Sequence, residues 1–424
     1  MVDLPFDIIE LIIDALAAQN DKETLRNFAT VSSTFVVRCQ KHLFRTVNLG
    51  ERCIPGKEFY RRFFRLISQR RKFCTYVEDL RLVDTYIWDK EKDKNWGWLT
   101  EEESICDLLD LLPNLRAFSL TFNIGHPTWV SLRQCIRHAL MQVAKRPAVE
   151  SFTLARIKDF PPSLLVSLAT VKHLRLDDVH VHAAYLTHSL GVALEFATLS
   201  PTIETLVLKA PSAATLHVLH NVLMLHRTPT LKTLWLAVLD QQDAQLMTEL
   251  WTLMQWAAES LTCLEWRPAT RTQDSVLRPP RPIDFSVLKF LQTFHFLVNF
   301  HAKPALSSPP RSHYLFSDLI SILRELGTPS AAHFSPSTYQ HSLTNLVIEC
   351  MFLNAVELVG CASDWSSLDA TLCSEPFSNL RRVVFRAGQK VAPSLRTAAK
   401  MILMEQLPVA RGRGVRIVYY ENLS

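Results

Sequence analysis

Between Leu4 and Leu16 the chain reads LPFDIIELIIDAL. Wound at 3.6 residues per turn, this stretch is apolar over roughly half its circumference, where an ordinary surface helix needs a stripe of ~100°. Ile8, Ile9, Ile12, Ile13 and Leu16 cover one side, Leu11 and Ala15 extend it, and Glu10, Asp14 and Ala17 fill the remainder. Pro5 favours an extended entry and is tolerated in a first turn. Such a helix has more apolar surface than one layer of neighbours covers, so it is either deeply buried or waiting for a partner. Asn20 and Glu23 have the spacing of a capping box, and Leu25, Phe28, Ala29 and Val31 give a second short helix its apolar face. Ser32 is placed to cap a third, along which Phe35, Cys39 and Leu43 recur at i, i+4. Thr46 to Leu49 then switches to the two-residue alternation of a strand. Three short helices feeding a strand make a module of about forty residues, near the lower limit for folding alone.

From residue 77 onward a hexapeptide recurs with apolar first, fourth and sixth positions. It reads VEDLRL (77), LRAFSL (115), VESFTL (149), VKHLRL (171), IETLVL (203), LKTLWL (231), LTCLEW (261), LQTFHF (291), LTNLVI (343) and LRRVVF (380). Most starts lie 28 to 38 residues apart, with exceptions of 22 and 52. Between them run helix-period stripes: Leu132, Ile136, Leu140, Val143; Leu216, Leu219, Leu223; Leu246, Leu250, Leu253, Met254, Ala257; and Leu395, Ala398, Ala399, Ile402, Leu403. Strand and helix alternating at a quasi-regular period predict an α/β solenoid with a parallel sheet and outer helices. The pattern resembles leucine-rich repeats, irregular in length and mostly lacking the asparagine that Asn123 and Asn299 supply. A doubly wound nucleotide-binding sheet is the competing arrangement, and the missing glycine-rich fingerprint argues against it.

Where the fourth and sixth positions face the core, the fifth faces the open side of the sheet. Those residues are Arg81, Ser119, Thr153, Arg175, Val207, Trp235, Glu265, His295, Val347 and Val384, with His173, Asp177, Lys209, Arg267, Glu349, Arg382 and Arg386 as outward neighbours. Trp235 amid Arg175, Lys209 and Arg267 is the expected hot spot, since Trp and Arg dominate binding sites. The expected substrate-binding set is Arg81, Arg175, Lys209, Trp235, Glu265, Arg267, His295, Arg382 and Arg386. The alternative is a covering loop that makes Trp235 part of a core.

Composition narrows the classes. Hydrophobic residues are 48% and charged residues 21% of 424, which is globular, and a net charge of +5 is too mild to point to nucleic acid by itself. Ten glycines, against a usual share of ~7%, argue against phosphate-cradling loops. Nine scattered cysteines without a C-x-x-C pair suit a reducing compartment, so cytoplasm or nucleus is expected. No basic run precedes the apolar start and no apolar run reaches ~18 residues, so neither a secretion signal nor a spanning helix is expected. Three segments break the repeat: a charged, aromatic one at 84–104, and Pro-rich ones at 267–284 and 301–341. YRRFFRLISQRRK (60–72) predicts a basic amphipathic helix with Phe59, Phe63, Leu66 and Ile67 on its packed side, or more sharply an anion site. Together with Arg411, Arg413 and Arg416 it leaves nucleic-acid binding as a third, weaker expectation. Asp177, Asp178, His180 and His182 complete no metal shell, and no catalytic motif is present, so a binder without cofactor or metal is expected rather than an enzyme.

The residues of the first module, LP-x-D-I-I, then T-L-x-x-F-x-x-V-S-x-x-F and HLFRTVNL, resemble an F-box in the form common among large fungal families. The resemblance covers about Asp3 to Leu49, and Phe35 stands where many members carry tryptophan. F-box domains bind the Skp adaptor of Skp–cullin–F-box ubiquitin ligases. The resemblance therefore implies Skp docking through Leu4, Pro5, Ile8, Ile9, Ile12, Leu25, Val31, Ser32 and Phe35, and through Skp a cullin. It implies a three-helix F-box at 1–49, a linking basic helix at 50–76, and a leucine-rich-repeat-like arc at 77–424 that presents a protein substrate for ubiquitin transfer. The competing expectation is a non-catalytic scaffold in which the first helices only cap the solenoid.

Overall fold

A computed structural model describes residues 5–50, 56–85, 87–89, 94–182, 202–224, 229–237, 243–267, 285–299, 317–327, 341–351, 362–387 and 393–421. The chain forms two compact units, Met1–Pro201 and Thr202–Ser424. The helical module and the first repeats fold as one body, and the break falls within the repeats.

The first unit opens with α1 (Phe6–Ala18), α2 (Lys22–Val31) and α3 (Ser33–Arg45), which runs directly into β1 (Thr46–Leu49). Pro5 is the N-cap of α1, one position earlier than a first-turn proline. Asp21, not Asn20, caps α2: its carboxylate accepts the Thr24 N–H at 3.0 Å. Asn20 instead closes α1, donating its N–H to the Ala17 carbonyl with φ of 58°, a left-handed conformation that asparagine tolerates. Ser32 caps α3 as expected, accepting the Thr34 N–H at 3.3 Å. The three helices close on Ile13, Leu25 and Cys39, with Ile9, Leu16, Phe28, Phe35 and Leu43 packed around them. A polar clamp reinforces the α1–α3 contact. The Arg38 guanidinium donates to Asp14 (Nε–Oδ1 3.0 Å) and pairs with Glu10 (2.6 Å), and His42 reaches Asp14 at 2.7 Å. The Arg38 hydrogen bond holds the Asp14 carboxyl down at about 2.

The chain continues through α4 (Gly56–Gln69) to β2 (Asp79–Thr85), the antiparallel pair β3 (Ile87–Asp89) and β4 (Lys94–Trp96), α5 (Trp98–Glu101), α6 (Ile105–Asp110) and β5 (Ala117–Ile124). Then come α7 (Gln134–Ala144), β6 (Ser151–Phe160), α8 (Pro162–Leu168) and β7 (His173–Val181). Strands β1, β2, β5, β6 and β7 pair in parallel in that order. The basic helix α4 turns Tyr60, Phe63 and Ile67 inward and leaves Phe59 outside, a quarter turn from the expected face. Tyr60 packs on Trp98 and donates to Ser104 Oγ at 2.9 Å, while buried Asp84 accepts the N–H groups of Trp98 and Leu99. The part of the 84–104 insert that is described is thus an anchored cover for α4. Most of the other two inserts, 267–284 and 301–341, lies outside the described residues.

In the second unit β8 (Thr205–Lys209), α9 (Ala213–Met224), β9 (Thr233–Ala237), α10 (Ala244–Ala257), β10 (Cys263–Arg267) and β11 (Thr293–Asn299) come first. They are followed by α11 (Ser317–Gly327), β12 (Asn345–Met351), α12 (Ala362–Leu372), β13 (Arg382–Ala387), α13 (Pro393–Glu405), α14 (Pro408–Gly412) and β14 (Arg416–Glu421). Strands β8 to β14 pair in parallel, each with the next. Each unit is an α/β solenoid-like fold, a parallel sheet built in chain order with helices on its connections.

All ten hexapeptides form strands, and their fourth and sixth residues are buried, from Leu80 and Leu82 to Val383 and Phe385. Their second residues carry a further device. The Glu78 carbonyl accepts the N–H groups of both Arg116 and Ala117, and those of Lys232, Thr262, Gln292 and Thr344 do the same for the next repeat. Where it occurs, this shared carbonyl sets the register before the strand ladder begins. Strand β14 was not expected. Its alternation of Val415, Ile417 and Tyr419 sits among arginines that read as a charged tail.

Candidate docking and recognition surfaces

Helix α1 carries two apolar stripes. Ile9, Ile13, Leu16 and Ala17 face the module core, and Ile8, Leu11, Ile12 and Ala15 follow i, i+3, i+4, i+7 spacing on the opposite side. Ile8, Leu11 and Ile12 are 42%, 63% and 38% exposed. The expected docking residues therefore separate. Pro5, Ile8, Ile12 and Val31 stand at the surface; Ile9 and Phe35 pack against the core; Leu25, 2% exposed, belongs to the core itself; and Ser32 is occupied as the α3 cap. Leu4 lies outside the described residues. Leu11, the most exposed of the stripe, was missing from the expected set although its spacing from Ile8 marks it. The module joins the repeats elsewhere. Phe44 at the end of α3 stacks on Phe73 (centroids 4.7 Å apart), and Arg45 pairs with Glu78 at 2.9 Å.

On the first unit's sheet the expected outward row is aligned residue by residue, Arg81 beside Ser119, Thr153 and Arg175. Its floor is small and hydroxylic. Each flanking arginine is answered by an aspartate on its own strand, Asp79 at 2.8 Å and Asp177 at 3.5 Å. A groove of about 690 Å³ begins at the strand starts, where Asp79 and His173 face Asp14, His42 and Arg45 of the helices. Acids and bases interleave along it.

The second unit aligns Val207, Trp235, Glu265, His295, Val347 and Val384 in one row. Trp235 is half-buried, with Lys209 Nζ 5.1 Å and the Arg267 guanidinium 5.2 Å from its ring. This is the expected cluster without Arg175, which belongs to the first unit. Cations over an indole are held by its negative face. Arg267 also donates to Glu265 (2.7 Å) and Glu349 (2.8 Å), and His295 closes the ring of charges at 2.8 Å from Glu265 and 3.4 Å from Glu349. His295 is only 4% exposed, and Val347 and Val384 are buried too. The sheet face is thus open at β8 to β10 and covered at β11 to β13, so His295 holds the cluster together from inside rather than lining a surface.

Burial lowers the proton affinity of His220 in this unit, and His295 and His341 shift as well. Burial lowers the affinity of His295 for a proton, but Glu265 and Glu349 outweigh burial and hold it above the usual value of 6.5. Burial pulls His341 down to about 4; its Nε2–H donates to the Leu288 carbonyl at 3.1 Å while Nδ1 accepts the Leu343 N–H. Between about 4 and 6.5 the unfolded chain binds a proton at residue 341 that the folded chain refuses, so stability rises with pH. Above 6.5 the sign reverses, because the folded chain keeps a proton on His295 that the unfolded chain releases. We expect urea midpoints to decline as pH rises through the raised His295 value, and His295→Gln to abolish that decline; an unchanged decline in the variant contradicts the assignment.

Asp178 is shared by His126 (2.5 Å) and His180 (2.7 Å), and His182 lies 4.0 Å from Asp159. Burial raises the Asp178 carboxyl, but the two histidines more than cancel it and leave it below its ordinary value. Among the described residues no group of His, Cys, Asp and Glu side chains is placed to hold a metal ion, and no helix is long and apolar enough to cross a membrane. The chain matches no protein-family model and no curated protein sequence.

Proposed function

We propose that the chain is a two-part adaptor: an F-box-like module that docks a Skp adaptor, and through it a cullin, followed by leucine-rich-repeat-like units that hold a protein substrate for ubiquitin transfer. The observation that carries this reading is the outer stripe of α1, Ile8, Leu11, Ile12 and Ala15, left at the surface of a module whose inner stripe already satisfies its core. An apolar helical stripe of this kind is the usual anchor for a partner helix or groove. The chain's contribution is proximity and orientation, and the covalent chemistry belongs to other subunits. Affinity capture of the tagged chain from fungal cells tests the reading: Skp and a cullin should co-purify in amounts comparable to the bait. Their absence from a capture that recovers the folded chain counts against it.

The scaffold reading has one observation in its favour. α3 runs without a break into β1, and Phe44 stacks on Phe73, a contact that a capping role would use. Capping uses the end of α3, however, and leaves the outer stripe of α1 unused.

A further inference from the structure

In the first unit, α6 leads to β5 and α7 to β6, so the two helices lie on consecutive connections of the parallel sheet, and they pack against each other. Ion pairs fasten them at both ends. Arg133, the N-cap of α7, pairs with Glu103 just ahead of α6, and Arg146 beyond α7 reaches Asp110, the last residue of α6, at 3.4 Å. Ile105, Leu108 and Leu109 of α6 and Ile136, Ala139 and Leu140 of α7 are buried. Each helix carries a cysteine as its second residue, Cys106 and Cys135. The two side chains meet at this seam, where the Cys106 S–H donates toward the Cys135 sulfur. Both are free thiols; Cys135 is exposed and Cys106 half-buried.

From this arrangement we infer that Cys106 and Cys135 form a reversible dithiol–disulfide site, closed by a hydroperoxide and reopened by a small thiol. The exposed Cys135 reacts first. Its thiolate attacks one peroxide oxygen, the O–O bond breaks, and Cys135 becomes a sulfenic acid while the other oxygen leaves as hydroxide and takes up the released proton as water. The Cys106 sulfur then attacks the Cys135 sulfur: the S–S bond forms, the S–O bond breaks, and the Cys106 proton leaves with that oxygen as a second water. Two thiols and one hydrogen peroxide give one disulfide and two waters, the peroxide taking the two electrons that the sulfurs lose. The environments set this order. Burial, then the neighbouring Cys135, push the Cys106 thiol up to about 12, so it stays protonated and inert towards an oxidant until Cys135 offers it an electrophile. Inside a reducing compartment such a bridge is transient, which suits a sensor rather than a staple. The bridge locks α6 to α7 and closes a loop of about 30 residues. Ser104, two residues before Cys106, accepts the Tyr60 O–H, so the bridge also braces the cover over α4.

The test is titration of the reduced full chain with hydrogen peroxide, then alkylation of the remaining thiols and peptide mass spectrometry. At one equivalent of peroxide, the cross-linked peptides carrying Cys106 and Cys135 should outweigh oxidation at every other cysteine, and dithiothreitol should restore both thiols. The bridged chain should gain roughly 5–10 °C in the thermal midpoint of its first unit, as closure of a loop of this length predicts. Cys106→Ser should stop at a Cys135 sulfenic acid that dimedone captures. Cys135→Ser, a change at an exposed position, should leave Cys106 reduced at the same dose. A bridge to another cysteine, a cross-link between two chains, over-oxidation of Cys135 while Cys106 stays open to alkylation, or an unchanged or lowered midpoint in the bridged chain would each overturn the proposal.

Discussion

Ile12→Asp should cut the affinity of the chain for a Skp adaptor by at least ~100-fold. Burying an isoleucine side chain contributes ~1.5–3 kcal/mol, and pressing a carboxylate against an apolar surface adds a penalty of at least ~1–3 kcal/mol. A combined loss of ~3 kcal/mol or more is two decades in affinity. The free chain should hardly notice the change. Ile12 is exposed on the outer stripe, so the cost to folding is the helix-propensity difference, below about 1 kcal/mol. Titration calorimetry against purified adaptor measures the first quantity and urea denaturation the second. Loss of binding together with loss of folding would place Ile12 in the core instead. The inner stripe supplies the control: Ile13→Asp puts a charge among Leu25 and Cys39 and should unfold the module.

Gly50→Ala should destabilise the first unit by about 3–5 kcal/mol, the largest stability effect we expect from adding one methyl group. Gly50 follows β1 with φ of +111°, outside even the small left-handed region open to L-residues. A Cβ there would sit 1.9 Å from the Val83 carbonyl oxygen and 3.0 Å from its carbon. Those are backbone atoms of β2, the strand that β1 pairs with, so no side-chain rotation relieves the clash. Either the β1–β2 ladder opens or the chain after β1 is redirected, and both loosen the join between the helical module and the repeats. Urea midpoints of variant and wild type measure the difference. A variant within about 1 kcal/mol of wild type would show that the turn relaxes freely.

The repeating part of the fold was legible because its signal is local and redundant. A strand buried on one face needs Leu80 and Leu82 inward and Arg81 outward whatever lies over it, and the same demand recurs in every repeat. What lies over the outward row is set by tertiary packing, and the row splits accordingly: Trp235 and Arg175 stay partly exposed while His295, Val347 and Val384 are covered. Leu25 shows the same limit in the helical module. Its helix position marks it as apolar without saying which partner it meets, and in the structure it joins Ile13 and Cys39 in the core. The outer stripe of α1 could be read without the structure, since a helix apolar on half its surface has one face too many for a three-helix core. Asn20 and Asp21 mark the finest grain of the problem. Both are good caps, and the choice turned on which of them the preceding helix needed to end. β14 was hidden because a strand of six residues, set behind Arg411 and Arg413 and opening on Arg416, has the charge pattern of a tail.

Co-expression with a fungal Skp adaptor, followed by size-exclusion chromatography with light scattering, tests the adaptor reading most directly. Wild-type chain should elute as a stoichiometric complex, and the Ile8→Asp and Ile12→Asp variants should elute apart from the adaptor as folded protein. A wild-type chain that elutes alone, soluble and folded beside free adaptor, would contradict the docking role of the α1 stripe and leave the helices as a cap on the repeats.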